Sequence, residues 1–134
     1  MGREPGPGKI LAGVHVLVVD DDSDASALLE AVLTYCGALV TVAENARDAL
    51  ARLRRALADV VVTDLVLPRE DGYWLVREIR ALTGGGRTLP VVALFEGREG
   101  APERAQAAGF SALLQKPVDP WEFCRLVAGL ARKP

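Results

Sequence analysis

Side chains that ligate soft or borderline metals are nearly missing from this chain. It has one histidine, His15, and two cysteines, Cys36 and Cys124. The cysteines match no zinc or redox spacing, and each falls in an apolar helical segment, so they read as buried thiols. His15 stands near the start of an apolar run with no Cys or His partner, which reads as a surface or sheet-edge residue. No apolar run reaches the ~18 residues of a membrane span, and no signal-peptide core is present. Myristoylation after Met1-Gly2 would need Ser or Thr at the position held by Gly6. A cytoplasmic protein is the expectation. Neither sign of charge is in excess: 16 Lys and Arg face 18 Asp and Glu, a net charge of −2. That balance argues against broad nucleic-acid binding, and Arg52, Arg54 and Arg55 read as a solvated helix face. Phosphate loops are lacking too. Gly8-Lys9 is preceded by Pro7 and followed by Ile10, and Gly84-Gly85-Gly86 does not directly follow a strand.

What is present is core. The chain has 134 residues, half of them hydrophobic, enough for one ordinary domain. Residues 1–12 read as a flexible leader or linker, opening Met-Gly-Arg-Glu-Pro-Gly-Pro-Gly-Lys. Residues 13–132 read as the domain. Short apolar runs alternate with segments of helical period. The expected strands are Val14–Val19, Leu39–Val42, Val60–Asp64, Leu89–Phe95 and Ser111–Gln115. The first expected helix, Ser23 to Cys36, carries a core stripe of Leu28, Leu29, Val32 and Leu33, and Gly37 stops it. Asn45 caps the second, with Ala49, Leu50, Leu53 and Leu57 inward. The third runs from Gly72 to Leu82, with Leu75, Val76, Ile79 and Leu82 inward. Pro102 and Gly109 bracket the fourth. Asp119 caps the fifth, with Glu122 three residues on and Phe123, Leu126, Val127 and Leu130 buried. Five βα units with right-handed crossovers predict an α/β fold: a doubly wound parallel sheet with helices on both faces.

The strand ends carry the chemistry. The first supplies Asp20 and Asp21, the third Asp64 and the fifth Lys116, and a doubly wound sheet brings these ends to one edge. Carboxylates crowded there repel one another unless a cation intervenes. An oxygen donor set suits Mg2+, and Lys116 adds a compact positive charge. Cation and ammonium together would cradle a phosphoryl group, with an Asp as nucleophile. Taken singly, Asp20-Asp21-Asp22 is also an ordinary acidic helix start, and Lys116 an ordinary surface lysine before a turn proline. Their coincidence at successive strand ends favours a site.

From Val14 to Arg132 the chain resembles the receiver domain of bacterial two-component response regulators. The matching motifs are Val-Val-Asp20-Asp21, Asp64-x-x-x-Pro68-x-x-Asp71-Gly72 and Lys116-Pro117. Asp71-Gly72-Tyr73, Ala107-Ala108-Gly109-Phe110 and Lys116-Pro117-Val118-Asp119-Pro120 look most like receivers of hybrid histidine kinases. The resemblance implies a flavodoxin-like (βα)5 sheet of strand order 2-1-3-4-5. It implies Asp64 as phosphoacceptor and Lys116 as a phosphoryl contact. Mg2+ would be held by Asp21, Asp64 and the backbone carbonyl of Val66, with Asp20 acting through water. It also implies a cis Lys116–Pro117 bond. The donor would be a phosphohistidine of a histidine kinase or histidine phosphotransfer domain, with a downstream protein partner and no role for nucleic acid or membrane. No enzyme is implied beyond assistance to the domain's own aspartyl phosphorylation and dephosphorylation.

Two positions depart from the family. Phe95 stands where the fourth strand ends in Ser or Thr, and Leu113 replaces the aromatic of the fifth strand. Phe95 must fill the mouth of the site or swing out of it, and Glu96 adds negative charge beside it. An altered switch is one expectation, and a pseudo-receiver that binds partners without phosphate is the alternative. Val66 and Gly97 occupy the positions that tune hydrolysis in the family, and neither can orient water, which implies slow loss of phosphate. Trp74 is expected near enough to report cation binding. An Asp-nucleophile phosphatase ranks last, since Val66 cannot serve as its general acid.

Overall fold

Val16, Val60, Val91 and Val92 are fully buried, each worth roughly 1.5–3 kcal/mol of apolar transfer, and they lie on the three central strands of one sheet. The structure is a computed structural model and describes residues 10–97 and 102–131. The elements are β1 His15–Val19, α1 Ser23–Tyr35, β2 Leu39–Ala43, α2 Ala46–Arg55, β3 Val60–Asp64, α3 Gly72–Arg80, β4 Val91–Phe95, α4 Pro102–Ala108, β5 Ala112–Gln115 and α5 Pro120–Ala131. All five strands are parallel, in the order β2-β1-β3-β4-β5. Period-two alternation sends Leu17, Val19 and Val61 to one face, under α2, α3 and α4. Val16, Val18, Val60 and Val62 go to the other, with Leu33 of α1 and Phe123 and Val127 of α5.

Register, rather than proximity in sequence, builds the edge that matters. Val19 pairs with Thr63, Asp64 with Leu94 and Phe95 with Gln115. The residues just past these pairs are therefore Asp20, Leu65 and Lys116, at the carboxyl ends of adjoining strands.

Several expectations change. The α1 stripe is narrower than expected: Leu33 and Ser26 are its buried residues, Leu29 and Val32 are half-buried, and Leu28 is 67% exposed. Leu28 lies five residues before Leu33, about 140° around the helix, which carries it off the core side. The second and third helices stop at Arg55 and Arg80, so Leu57 and Leu82 lie beyond them, half-buried. Strand β4 starts at Val91. Pro90 has no N–H to give the ladder, yet its carbonyl accepts from Val61 N at 2.9 Å. His15 is not on an edge strand, because β1 is flanked by β2 and β3, and its half-buried ring places Nε2 2.8 Å from Thr41 Oγ1. Of the leader expected over 1–12, residues 1–9 lie outside the described residues. Leu11 belongs to the core, fully buried, with its N–H donating to Cys36 O at 2.8 Å. No helix among the described residues is long and apolar enough to cross a membrane.

Candidate functional site

The acidic triplet after β1 divides into three tasks. Asp20 is 2% exposed, and its Oδ1 accepts from Asp22 N at 2.9 Å. Asp22 is the N-cap of α1, its Oδ1 accepting from Asp24 N at 2.9 Å and Ala25 N at 3.2 Å. Asp21 is exposed and stands between them in sequence. One carboxylate oxygen each from Asp20, Asp21 and Asp64 lies within 4.8 Å of the others. The sequence-predicted acids thus meet.

Asp64 closes β3. Its carbonyl accepts from the buried Thr63 hydroxyl at 2.9 Å, and Leu65 N donates to Leu94 O at 2.8 Å, which fixes the strand end. Lys116 places Nζ 2.7 Å from Asp64 Oδ1. The expected cis Lys116–Pro117 bond is present, and Lys116 N donates to Phe95 O at 2.8 Å. After Asp64 the chain folds back on itself: Gly72 N donates to Leu65 O at 2.9 Å, and Asp71 caps α3 by accepting from Trp74 N at 2.9 Å. Arg69 holds φ at 67° within this loop. An ion pair, Arg47 Nε to Glu70 Oε1 at 3.0 Å, ties the loop to α2.

Electrostatically the notch is short of positive charge. Burial pushes the Asp20 carboxyl above its ordinary range, with Asp21 and Asp22 adding to the shift and the Asp22 N–H and Lys116 opposing it. Burial likewise raises Asp64, Lys116 offsets part of that, and Asp20 and Asp21 raise it further. Burial alone would lower Lys116, but the Asp64 carboxylate, then Asp20 and Glu96, hold it above the usual lysine value. Three carboxylates against one ammonium, all offering hard oxygen, fit a small divalent cation such as Mg2+.

A cleft of about 630 Å³ opens over these groups. Glu96 lines it with Lys116, and Leu28, Leu29, Pro117 and Val118 form an apolar border. Sequence reasoning missed that border, and the one available signal was Leu28's angular offset from Leu33. Val66 is exposed on the loop after β3 and is not among the residues lining the cleft. Phe95 has swung out: with Leu113, Ala105 and Phe110 it lines a separate cavity of about 490 Å³ between α4 and β5. Neither atypical position therefore supplies a hydroxyl to the acids. Trp74 does not line the cleft either; the Arg47 guanidinium lies 5.4 Å over its ring.

Comparison with protein-family models matches residues 16–128 to the response regulator receiver domain. A 14.6 kDa uncharacterized protein of Leptolyngbya boryana is 46% identical over 118 residues, covering 87% of this chain and 89% of its own. The virulence sensor protein BvgS of Bordetella pertussis is 38% identical over 117 residues, 84% of this chain but only 10% of that far longer protein. Among solved structures, the receiver domain of the sensor histidine kinase PA1611 of Pseudomonas aeruginosa superposes with a TM-score of 0.83 at 32% identity. The match covers 91% of this chain and 100% of that one, which holds a magnesium ion in its active-site cleft. On the family match, these relatives and the shared sheet order, this chain belongs to the receiver domains of two-component signalling systems.

Proposed function

We propose that Asp64 accepts a phosphoryl group from a phosphohistidine carried by a histidine kinase or a histidine phosphotransfer domain. The observation that carries this reading is the Asp64 carboxylate held 2.7 Å from Lys116 Nζ beside two further acids. A carboxylate oxygen of Asp64 attacks phosphorus, the phosphorus–nitrogen bond breaks, and its electron pair stays on the imidazole. Lys116, paired with Asp64 beforehand, also contacts the incoming phosphoryl oxygens. Asp21, Asp64 and the Val66 carbonyl would hold Mg2+ directly and Asp20 through water, and the bound ion would offset phosphoryl charge. The domain acts on its own side chain only, so it is not an enzyme with turnover. The pseudo-receiver alternative has less support, because acids and ammonium are complete. Without a hydroxyl from β4, the phosphoryl group loses one charge-assisted hydrogen bond, worth about 1.5–3 kcal/mol. Slow hydrolysis is expected from Val66 and Gly97, with a lifetime well beyond seconds.

Intact mass after treatment with a small acyl phosphate and Mg2+ tests the acceptor. The wild-type chain should gain one phosphoryl group and Asp64→Asn none. Equal labelling of both would refute Asp64 as the site.

The partner can be tested separately. A donor protein that brings its phosphohistidine into the cleft must cover the cleft's border, and Leu28 is an exposed leucine of that border, at 67%. Leu28→Asp should slow transfer from a phosphorylated donor protein by at least about tenfold, the equivalent of about 1.4 kcal/mol. Labelling by the small acyl phosphate should change little. Equal slowing of both reactions would show that Leu28 acts on the acid site and not on docking.

A further inference from the structure

Cys36 and Cys124 take no part in the acid notch, and each is buried in the layer formed by α1 and α5. Cys36 is the C-cap of α1, its N–H donating to Val32 O at 3.2 Å. Cys124 stands early in α5, and its Sγ approaches the same Val32 carbonyl at 3.8 Å. One carbonyl therefore locates both residues at the last turn of α1, within the same buried cluster. Burial first, then Cys36, pushes the Cys124 thiol up to about 12, so that thiol is protonated. The two cysteines differ in access. An apolar groove of about 520 Å³ runs between α1 and α5, bordered by Tyr35, Pro120 and Trp121, and Cys36 is one of its walls while Cys124 is not. A reagent from solvent meets Cys36 first and finds Cys124 behind it.

We infer that Cys36 and Cys124 are a latent disulfide pair, closed by a two-electron oxidant of the peroxide class that reaches Cys36 through the α1–α5 groove. In the first step a peroxide oxygen passes to the Cys36 sulfur, giving a sulfenic acid while the peroxide is reduced to water. In the second, the Cys124 sulfur attacks the Cys36 sulfur, the sulfur–oxygen bond breaks, and hydroxide leaves with the Cys124 proton as a second water. Cys36 is the attacked position and Cys124 the resolving one. The bond joins the end of α1 to the helix that follows the Lys116 loop.

The test uses the full chain, reduced, freed of reductant and exposed to hydrogen peroxide, then denatured with an alkylating agent and weighed. The monomer should lose two hydrogens and take up no alkyl groups, and thiol reductant should restore two alkylatable sites. Cys124→Ala should instead leave a sulfenic acid at Cys36 that a dimedone probe captures, and Cys36→Ala should leave Cys124 unmodified. Two alkylated thiols in peroxide-treated wild type, cross-links only between chains, or stepwise oxygen addition with no hydrogen loss would each overturn the pairing. The wild-type measurement stands even where a variant folds poorly.

Discussion

Arg80→Met should lower the stability of the domain by about 3–5 kcal/mol, read as a fall in the urea midpoint at unchanged slope. Arg80 lies at the end of α3, half-buried, and makes four hydrogen bonds to three carbonyls. Nη1 donates to Gly86 O at 2.8 Å and to Leu89 O at 2.6 Å; Nε and Nη2 donate to Gly109 O at 3.1 and 2.7 Å. Burial lowers its pKa from the ordinary arginine value, yet a guanidinium stays charged across any working pH. Methionine keeps the apolar stem but strands three carbonyls, at about 1–3 kcal/mol for each one left dry. Arg80→Lys should recover only part of the loss, since one ammonium cannot serve the spread of acceptors that the planar fork reaches. An unfolding free energy within about 1 kcal/mol of wild type for Arg80→Met would show that water replaces the guanidinium without penalty.

Gly72→Ala should reach both stability and phosphoryl acceptance. A Cβ at Gly72 would lie 2.7 Å from Asp64 O, 3.0 Å from Leu65 Cα and 3.2 Å from Leu65 O. All three are backbone atoms at the end of β3, so no side chain can turn aside, and the strand end itself must shift. Overpacking of this kind costs about 1–3 kcal/mol. The shift also moves Asp64 relative to Lys116, a contact now at 2.7 Å, and labelling by the small acyl phosphate should fall at least about tenfold. Gly129→Ala is the control. Its Cβ meets nothing within 4 Å on helix α5, so it should stabilise by about 0.5–1 kcal/mol and leave labelling unchanged. Wild-type labelling of a folded Gly72→Ala chain would separate the loop's close packing from the chemistry.

The acidic notch was legible because its signal is local. A β-branched run stopping on a carboxylate can be seen one strand at a time at Asp20 and Asp64, and the parallel register then brings the ends together without further information. Capping by Asn45 and Asp119 was equally local, and the structure shows Asn45 Oδ1 accepting from Asp48 N and Asp119 Oδ1 from Glu122 N. What escaped depends on groups every residue shares or on direction in space. Arg80 is held by main-chain carbonyls, which carry no sequence signature. The Gly72 contact is with the backbone of residues seven and eight positions earlier. Phe95 could have turned either way from β4, and only its packing with Leu113 against the cluster holding Phe110 and Ala105 decides it. Leu28 was assigned inward because it is apolar, when its angle around α1 placed it at the rim of the cleft.

The two tryptophans lie on opposite sides of the sheet. Trp74 packs with the α2–α3–α4 layer under the Arg47 guanidinium, and Trp121 opens onto the groove beside α1 with Arg125 5.8 Å from its ring. The chain thus carries one tryptophan per layer, and Trp74→Phe or Trp121→Phe isolates the tryptophan emission of each side. Loosening of either half of the sandwich becomes separately visible by light, with no label added.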